Sequence, residues 1–520
     1  MINLSVILII AFILYLILSF LSLNYKKNGM EIIKDMGIGY NLGYLFDCYT
    51  NNFTQIISPD DQITLFGNSL PTQELIISIK KYGFKTIRFP ITWMHFIDNK
   101  GNIDSNWMSR VKEVVNWIIN ANLYCIINVH NDILENNWLS KGLSTKDKFI
   151  NLWSQISNQF KDYDQNLIFE SMNEIDYRNN NANNETTLSI LNQAFVNTIR
   201  NSGNFNLYRL LLISLPNTDV EFTLSSNFEL PKDPYNNLGI SMHYYFPNQF
   251  TTEQDDNPWK EGNLIHMPPR TSWGISSDYK EIVTNFEAIK NTYIDKGIPV
   301  IFTEVGVLTE QKKEKESIRE YLISIFSFSS DYKGIMACLW DSSNKEKGDM
   351  NYINRNNGTW YDEKLRHIIK KISKGKYIKP TEYYIKTNKD TETNTDNNGN
   401  IIINFGAKKA KKVILNAKFN NLSTLSSPDI YFKLSSLDKE EKYVNFQIHG
   451  KEGKKQYDSS FIFTLDVTNK DYNNYIRIIK QEEYENNIII NYLTIEFENS
   501  FTSFDYEAFK ASLSSNEIFN

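Results

Sequence analysis

Between residues 37 and 375, short apolar and β-branched runs alternate with longer stretches whose apolar positions recur three or four residues apart. The short runs, at 38–43, 86–91, 124–130, 167–174, 209–215, 238–245, 300–307 and 334–341, predict eight strands. The longer stretches include 74–82, 107–121, 148–160, 189–199, 279–294 and 318–328, and they predict helices. Ser144 and Asp147, three residues apart ahead of the third of these, have the spacing of a capping box. The gap from 215 to 238 carries little helical signal. Strand runs that are hydrophobic without strict alternation belong to sheets covered on both faces, which means parallel sheets. Eight such strands interleaved with helices predict an α/β fold, the closed (β/α)8 TIM barrel.

The pattern changes after residue 380. A Thr/Asn/Asp/Gly-rich stretch at 387–400 reads as linker, and short runs without helical period follow at 401–405, 413–419, 430–434, 443–448, 461–467, 475–479 and 488–497. Seven strands at that spacing predict a C-terminal all-β sandwich. The expected organisation is an N-terminal segment 1–28, a barrel domain 29–378, a linker 379–400, an accessory or carbohydrate-binding-like domain 401–500, and a tail 501–520 with no assigned role.

Composition narrows this picture little. With 520 residues, 41% hydrophobic and 22% charged, the chain has room for one large and one smaller globular domain. A net charge of −6 and the lack of any Lys/Arg block argue against nucleic acid as a partner. The apolar run from Leu4 to Leu23 is long enough to span a bilayer and longer than an ordinary signal-peptide core. Lys26 and Lys27 after it would favour a cytoplasmic C-terminal side, whereas a polymeric substrate favours export. The expectation is a secreted or surface-anchored monomer with residues 4–23 as signal or anchor. Three widely spaced cysteines, Cys48, Cys125 and Cys338, form no disulfide framework. A Cys48–Cys338 bridge stays open, because the two would follow strands that neighbour each other once a barrel closes.

Chemistry enters at the C-terminal ends of the predicted strands, where barrels carry their active sites. Arg88 and Pro90, His130, Asn173 and Glu174, His243 and Tyr245, Glu304, and Trp340 and Asp341 all crowd there. Glu174 and Glu304 end the fourth and seventh strands. Cleaving a glycosidic bond needs two carboxyl groups flanking the anomeric carbon, one to protonate the leaving oxygen and one to attack. A single Glu after an apolar strand is more often a solvated loop residue; two of them in such company are not. Among the six histidines there is no His-x-x-x-His or Cys/His ligand spacing, and no Gly-rich phosphate loop occurs, so no metal and no cofactor are expected.

Several motifs together resemble glycoside hydrolase family 5, the cellulase family. Gly39-Tyr40-Asn41-Leu42-Gly43 is similar to its opening strand, and Gly83-Phe84-Lys85-Thr86-Ile87-Arg88-Phe89-Pro90 to its arginine strand. Ile127-Asn128-Val129-His130 is similar to its third strand, and Asn173-Glu174, His243-Tyr244-Tyr245 and Trp340 to its later motifs. Asn131 stands where many members carry a second His, and Ile175 where Pro is common; the first departure bears on substrate orientation.

The resemblance, which covers residues 37–345, implies Glu174 as acid/base and Glu304 as nucleophile of a retaining enzyme. Asn41, Arg88, His130, Asn173, His243, Tyr245 and Trp340 are then substrate-binding or supporting groups. Arg88 and the Tyr245 hydroxyl would serve Glu304, and Asn173 would donate to the sugar 2-hydroxyl. His243 would sit beside Glu174, His130 would hold sugar hydroxyls or the Asn173 amide, and Trp340 would offer a face to the pyranose. Glu170 shares strand parity with Glu174 one layer deeper. It is expected to be structural, paired with a buried cation. Trp93, Trp138, Trp259 and Trp273 are candidates to pave a cleft. The segment His243–Phe250 with Trp273-Gly274 resembles the endoglucanase and xyloglucanase branch, which implies internal cleavage of a β-1,4-glucan. A mannanase, another β-glucanase, or a silent polysaccharide-binding protein are the rivals. In the C-terminal domain no Trp follows Trp360, leaving Tyr431, Tyr457 and Tyr475 as possible sugar-stacking residues.

Overall fold

The computed structural model describes residues 26–376, apart from loop segments 51–55, 134–142, 175–182, 221–223, 225–227, 253–259, 262–263, 266–269, 275, 310–312 and 344–348, and the backbone of strands between 392 and 497. The predicted membrane or signal segment, the tail 501–520, Trp138 and Trp259 lie outside the described residues. Among the described residues no helix is long and apolar enough to cross a membrane.

Eight strands close into one barrel: β1 Gly39–Asn41, β2 Thr86–Phe89, β3 Tyr124–Ile127, β4 Leu167–Glu170, β5 Leu211–Asp219, β6 Leu238–Tyr244, β7 Val300–Val305 and β8 Ile335–Leu339. Neighbours pair in parallel register, Gly39 with Thr86, Thr86 with Tyr124, Cys125 with Leu167 and Phe169 with Leu211. All eight predicted strands are present, mostly shorter at their C-terminal ends. β5 differs, running on through Asp219 into the stretch read as loop. The six predicted helices are also present, as Gln73–Lys81, Ser105–Asn120, Lys146–Phe160, Asn183–Asn201, Ser276–Thr292 and Lys315–Asp331.

The barrel interior is stratified. At its base, Ile126, Ile168, Leu212, Ile301, Met336 and Cys338 from the strands pack with Ile32, Ile33 and Met36 of the helix Gly29–Met36. That helix carries a full capping box, Asn28 with Glu31. Its last carbonyls are orphaned by geometry, and the Thr86 hydroxyl of β2 donates to Met36 O at 2.7 Å. Gly39 is required by close approach, since a Cβ there would lie 2.2 Å from Cys338 Sγ.

The helix Lys146–Phe160 has Thr145 as N-cap with no side-chain cap, so Ser144 and Asp147 form no capping box; residues 143–145 are already wound as a 3-10 turn. All three cysteines are buried and none is in a disulfide. Cys338 points into the base of the barrel, with Sγ 3.9 Å from Met336 Sδ, while Cys48 lies in the turns beyond β1, so no Cys48–Cys338 bridge forms.

The chain folds as two compact units. One holds the described residues up to Met242 with Thr292–Thr303 and Lys333–Cys338; the other holds His243–Asn291, Glu304–Tyr332 and the described residues from Leu339 on. In the C-terminal region the single long strand Ile401–Phe419 replaces two predicted ones. It pairs antiparallel with Asn473–Lys480 through its first half and with Ser460–Asp466 and Ile488–Phe497 through its second. Glu392–Thr395, within the stretch read as linker, pairs with Ile401–Asn404.

One half-buried group sets an acid limit on stability. His95, in the 3-10 turn after β2, accepts from Thr50 N through Nε2 at 3.3 Å, and burial lowers its pKa from 6.5 to about 4. The unfolded chain takes up that proton near the ordinary histidine value and the fold does not. This contribution is therefore complete above pH 6.5 and is lost as pH falls from 6.5 toward about 4. Thermal midpoints measured across that window should decline less for His95→Gln than for the wild type; parallel curves would exclude His95 as a source.

Candidate active site

The first unit contributes a buried polar ring. Arg88 has no solvent exposure, and neither has Glu170. Arg88 Nε donates to Glu170 Oε2 at 2.7 Å and Nη2 donates to Oε1 at 3.2 Å. Ser241 Oγ donates to Glu170 Oε1 at 2.6 Å and lies 2.8 Å from Thr303 Oγ1. The ring closes through Asn41, whose Nδ2 donates to Thr303 O at 2.8 Å while its Oδ1 accepts from Arg88 Nη1 at 3.0 Å. Five strands, β1, β2, β4, β6 and β7, are thereby tied at one level. A buried ion pair is tolerable only when its remaining donors and acceptors are satisfied, and this ring satisfies them.

Above the ring stands Asn173, 5% exposed, whose Oδ1 accepts from Arg88 Nη2 at 2.9 Å. An arginine N–H requires an oxygen, so the Asn173 carbonyl faces Arg88 and its NH2 group faces away, available to a sugar hydroxyl. Glu174 follows at once and is exposed. Asn128 Nδ2 donates to Glu170 Oε2 at 3.2 Å and lies 3.3 Å from His130 Nδ1. An amide nitrogen only donates, so His130 Nδ1 is the acceptor and the ring proton sits on Nε2. That nitrogen is 4.0 Å from Asp47 Oδ2.

The second unit contributes Glu304, in β7 and 6% exposed. The Tyr245 hydroxyl donates to Glu304 Oε2 at 2.8 Å, and His243 Nδ1 lies 3.5 Å from the same oxygen. Tyr321 braces this segment, donating to Tyr244 O at 3.1 Å. Trp340 N donates to Val305 O at 2.8 Å, which sets its half-buried indole just past β8.

Of the nine residues singled out, Arg88, Asn41, Asn173 and His130 thus fall into one hydrogen-bonded cluster in the first unit. His243, Tyr245 and Glu304 fall into another in the second. Asn41 and Arg88 are fully buried. The cation expected beside Glu170 is Arg88. One described partner of His243 is Glu304. Trp93 and Trp273 pave no cleft: Trp93 is fully buried with Nε1 donating to Asn128 O at 3.0 Å, and Trp273, 3% exposed, packs on Tyr279 and Tyr321. Asp47, Asn128, Ser241 and Thr303 were missed. For Asn128 and Ser241 a signal existed: each is a polar residue in an apolar run, two positions before a site histidine.

A parallel eight-stranded barrel with one carboxylate just past β4, Glu174, and another near the end of β7, Glu304, is the pattern of a barrel glycosidase. The chain belongs to the cellulases, glycosyl hydrolase family 5, whose model matches residues 49–346. It is 30% identical to endoglucanase A of Clostridium longisporum over 68% of each chain. Among solved structures, it is 53% identical to a broad-specificity endoglucanase of subfamily GH5-4 from an uncultured bovine rumen ciliate, covering 67% of this chain and 99% of that one at a TM-score of 0.64. It is 29% identical to the family 5 xyloglucanase of Paenibacillus pabuli, covering 66% and 99% at a TM-score of 0.58.

Proposed function

We propose that this chain is an endo-acting, retaining β-1,4-glucanase that accepts cellulose-like chains and xyloglucan. The observation that carries the reading is Glu304: a carboxylate 6% exposed at the end of a barrel strand, with Oε2 engaged by the Tyr245 hydroxyl at 2.8 Å. A nucleophile must present one oxygen while the other is held, and this arrangement does that. Glu174, solvent-exposed three strands away, suits a group that exchanges protons with substrate and water.

In the first step Glu304 attacks the anomeric carbon as Glu174 delivers its proton to the departing glycosidic oxygen, leaving a covalent glycosyl-enzyme. In the second, Glu174 takes a proton from water, whose oxygen displaces Glu304 with net retention. The Asn173 NH2, oriented by Arg88, donates to the sugar 2-hydroxyl, a bond that strengthens in the oxocarbenium-like transition state. Trp340 offers its indole face to the pyranose.

Substrate breadth is supported by relatives described as a broad-specificity endoglucanase and a xyloglucanase. The C-terminal strands, paired as two antiparallel ladders sharing Ile401–Phe419, support a sandwich that serves as an accessory module. The apolar run 4–23 supports an extracellular enzyme, secreted or surface-anchored.

Incubation with carboxymethyl-cellulose, xyloglucan and glucomannan tests the reading. Fast viscosity loss with reducing-end release on the first two is expected, and proton NMR of an oligosaccharide digest should show the β-anomer first. Cleavage of glucomannan alone would replace glucanase by mannanase, and an initial α-anomer would replace retention by inversion.

A further inference from the structure

We propose that Tyr44 is a substrate-binding residue, a sugar-stacking platform held in a strained backbone on the rim of the barrel, where it meets a glucosyl unit away from the scissile bond. This rests on the glucanase reading and adds to it a binding position. Tyr44 lies three residues past the end of β1 with φ at +55°, the left-handed region that bulky side chains avoid. The other described non-glycine residues at positive φ are Asn122, Asn204, Asn236, Thr218, Lys333 and Ser343, all smaller or flexible and none aromatic. A loop that only had to turn here would accept Gly or Asn.

The strain is held by its surroundings. Asp47 is 1% exposed and accepts from Tyr44 N at 3.0 Å and from Leu45 N at 2.8 Å, and Asn68 Nδ2 donates to Tyr44 O at 2.9 Å. The loop behind is clamped as well. Thr92 Oγ1 and Asn131 Nδ2 donate to Asp47 O at 2.9 and 2.6 Å, and Gln62 Nε2 donates to Phe46 O at 2.7 Å. Asn131, which departs from the family pattern, therefore braces this loop. The same Asp47 carboxylate lies 4.0 Å from His130 Nε2, so one buried group sets both the Tyr44 backbone and a rim histidine.

The Tyr44 ring is half-buried and meets Phe66 edge-on, centroids 5.1 Å apart. An aromatic ring in strained backbone, over-determined by hydrogen bonds and partly open on a catalytic rim, is what functional strain looks like. A pyranose presents an axial C–H face, and such a face stacks on a rigid tyrosine.

The test compares wild type, Tyr44→Asn and Tyr44→Trp on cellohexaose and xyloglucan, with melting midpoints. Asn tolerates left-handed backbone, so Tyr44→Asn should melt no lower than wild type. Its KM should rise about three- to tenfold with kcat within twofold, and Tyr44→Trp should keep a near wild-type KM. An unchanged KM for Tyr44→Asn would overturn the proposal. So would a joint loss of kcat and melting temperature, which marks a purely structural residue. If the wild type itself cleaves no β-glucan, the glucanase reading fails; if it cleaves and Tyr44→Asn matches it, only the platform fails.

Discussion

Glu304→Gln is expected to lower kcat on carboxymethyl-cellulose by more than about 10⁴-fold, with an unchanged melting midpoint and little change in KM. Glutamine keeps the shape of the side chain and an oxygen for the Tyr245 hydroxyl, which lies 2.8 Å from Glu304 Oε2, so the fold has no reason to respond. The amide is no nucleophile, however, and the covalent route closes. Glu174→Gln should lose less, about 10²–10⁴-fold, because general acid catalysis contributes that much. Its loss should shrink in the first step with an aryl glycoside, whose leaving group departs without a proton. Steady-state rates on both substrates check this. A Glu304→Gln enzyme within tenfold of wild type would remove Glu304 as nucleophile.

The second large effect is on stability. Glu170→Ala should destabilise the barrel by about 3–5 kcal/mol, because it leaves the fully buried Arg88 without its carboxylate. That is a fall in melting midpoint of roughly 10 °C. Glu170→Gln should lose less, since an amide still reaches Ser241 and Arg88. The double substitution Arg88→Met with Glu170→Leu should recover part of the melting loss, as buried pairs exchanged for apolar side chains often do. It should not recover kcat, because Arg88 Nη2 no longer orients the Asn173 amide 2.9 Å away. Recovery of both would reduce the ring to packing.

Sequence reasoning reached the barrel because each strand is covered on both faces and each helix on one, so their periodicities are written locally. It reached the strand ends because ionisable residues following apolar runs stand out in one dimension. It missed the plug helix Gly29–Met36, whose eight residues are short for a periodic signal. It also offered four tryptophans as candidates for a cleft, of which at least Trp93 and Trp273 are core: a large aromatic near a strand end has the same local signature in either place.

The order of strands and helices, the two glutamates on strands four and seven, and the arginine strand were determined by the sequence alone, since each depends on neighbours a few residues away. Which groups meet was decided only in three dimensions. Closure of the barrel brings positions 41, 88, 170, 241 and 303 into one hydrogen-bonded ring. The buried Asp47 joins the Tyr44 backbone to His130 in the same way. Apart from the local Tyr44–Asp47 contact, these partners are separated by tens to hundreds of residues, and only the curvature and register of a closed sheet set their distances.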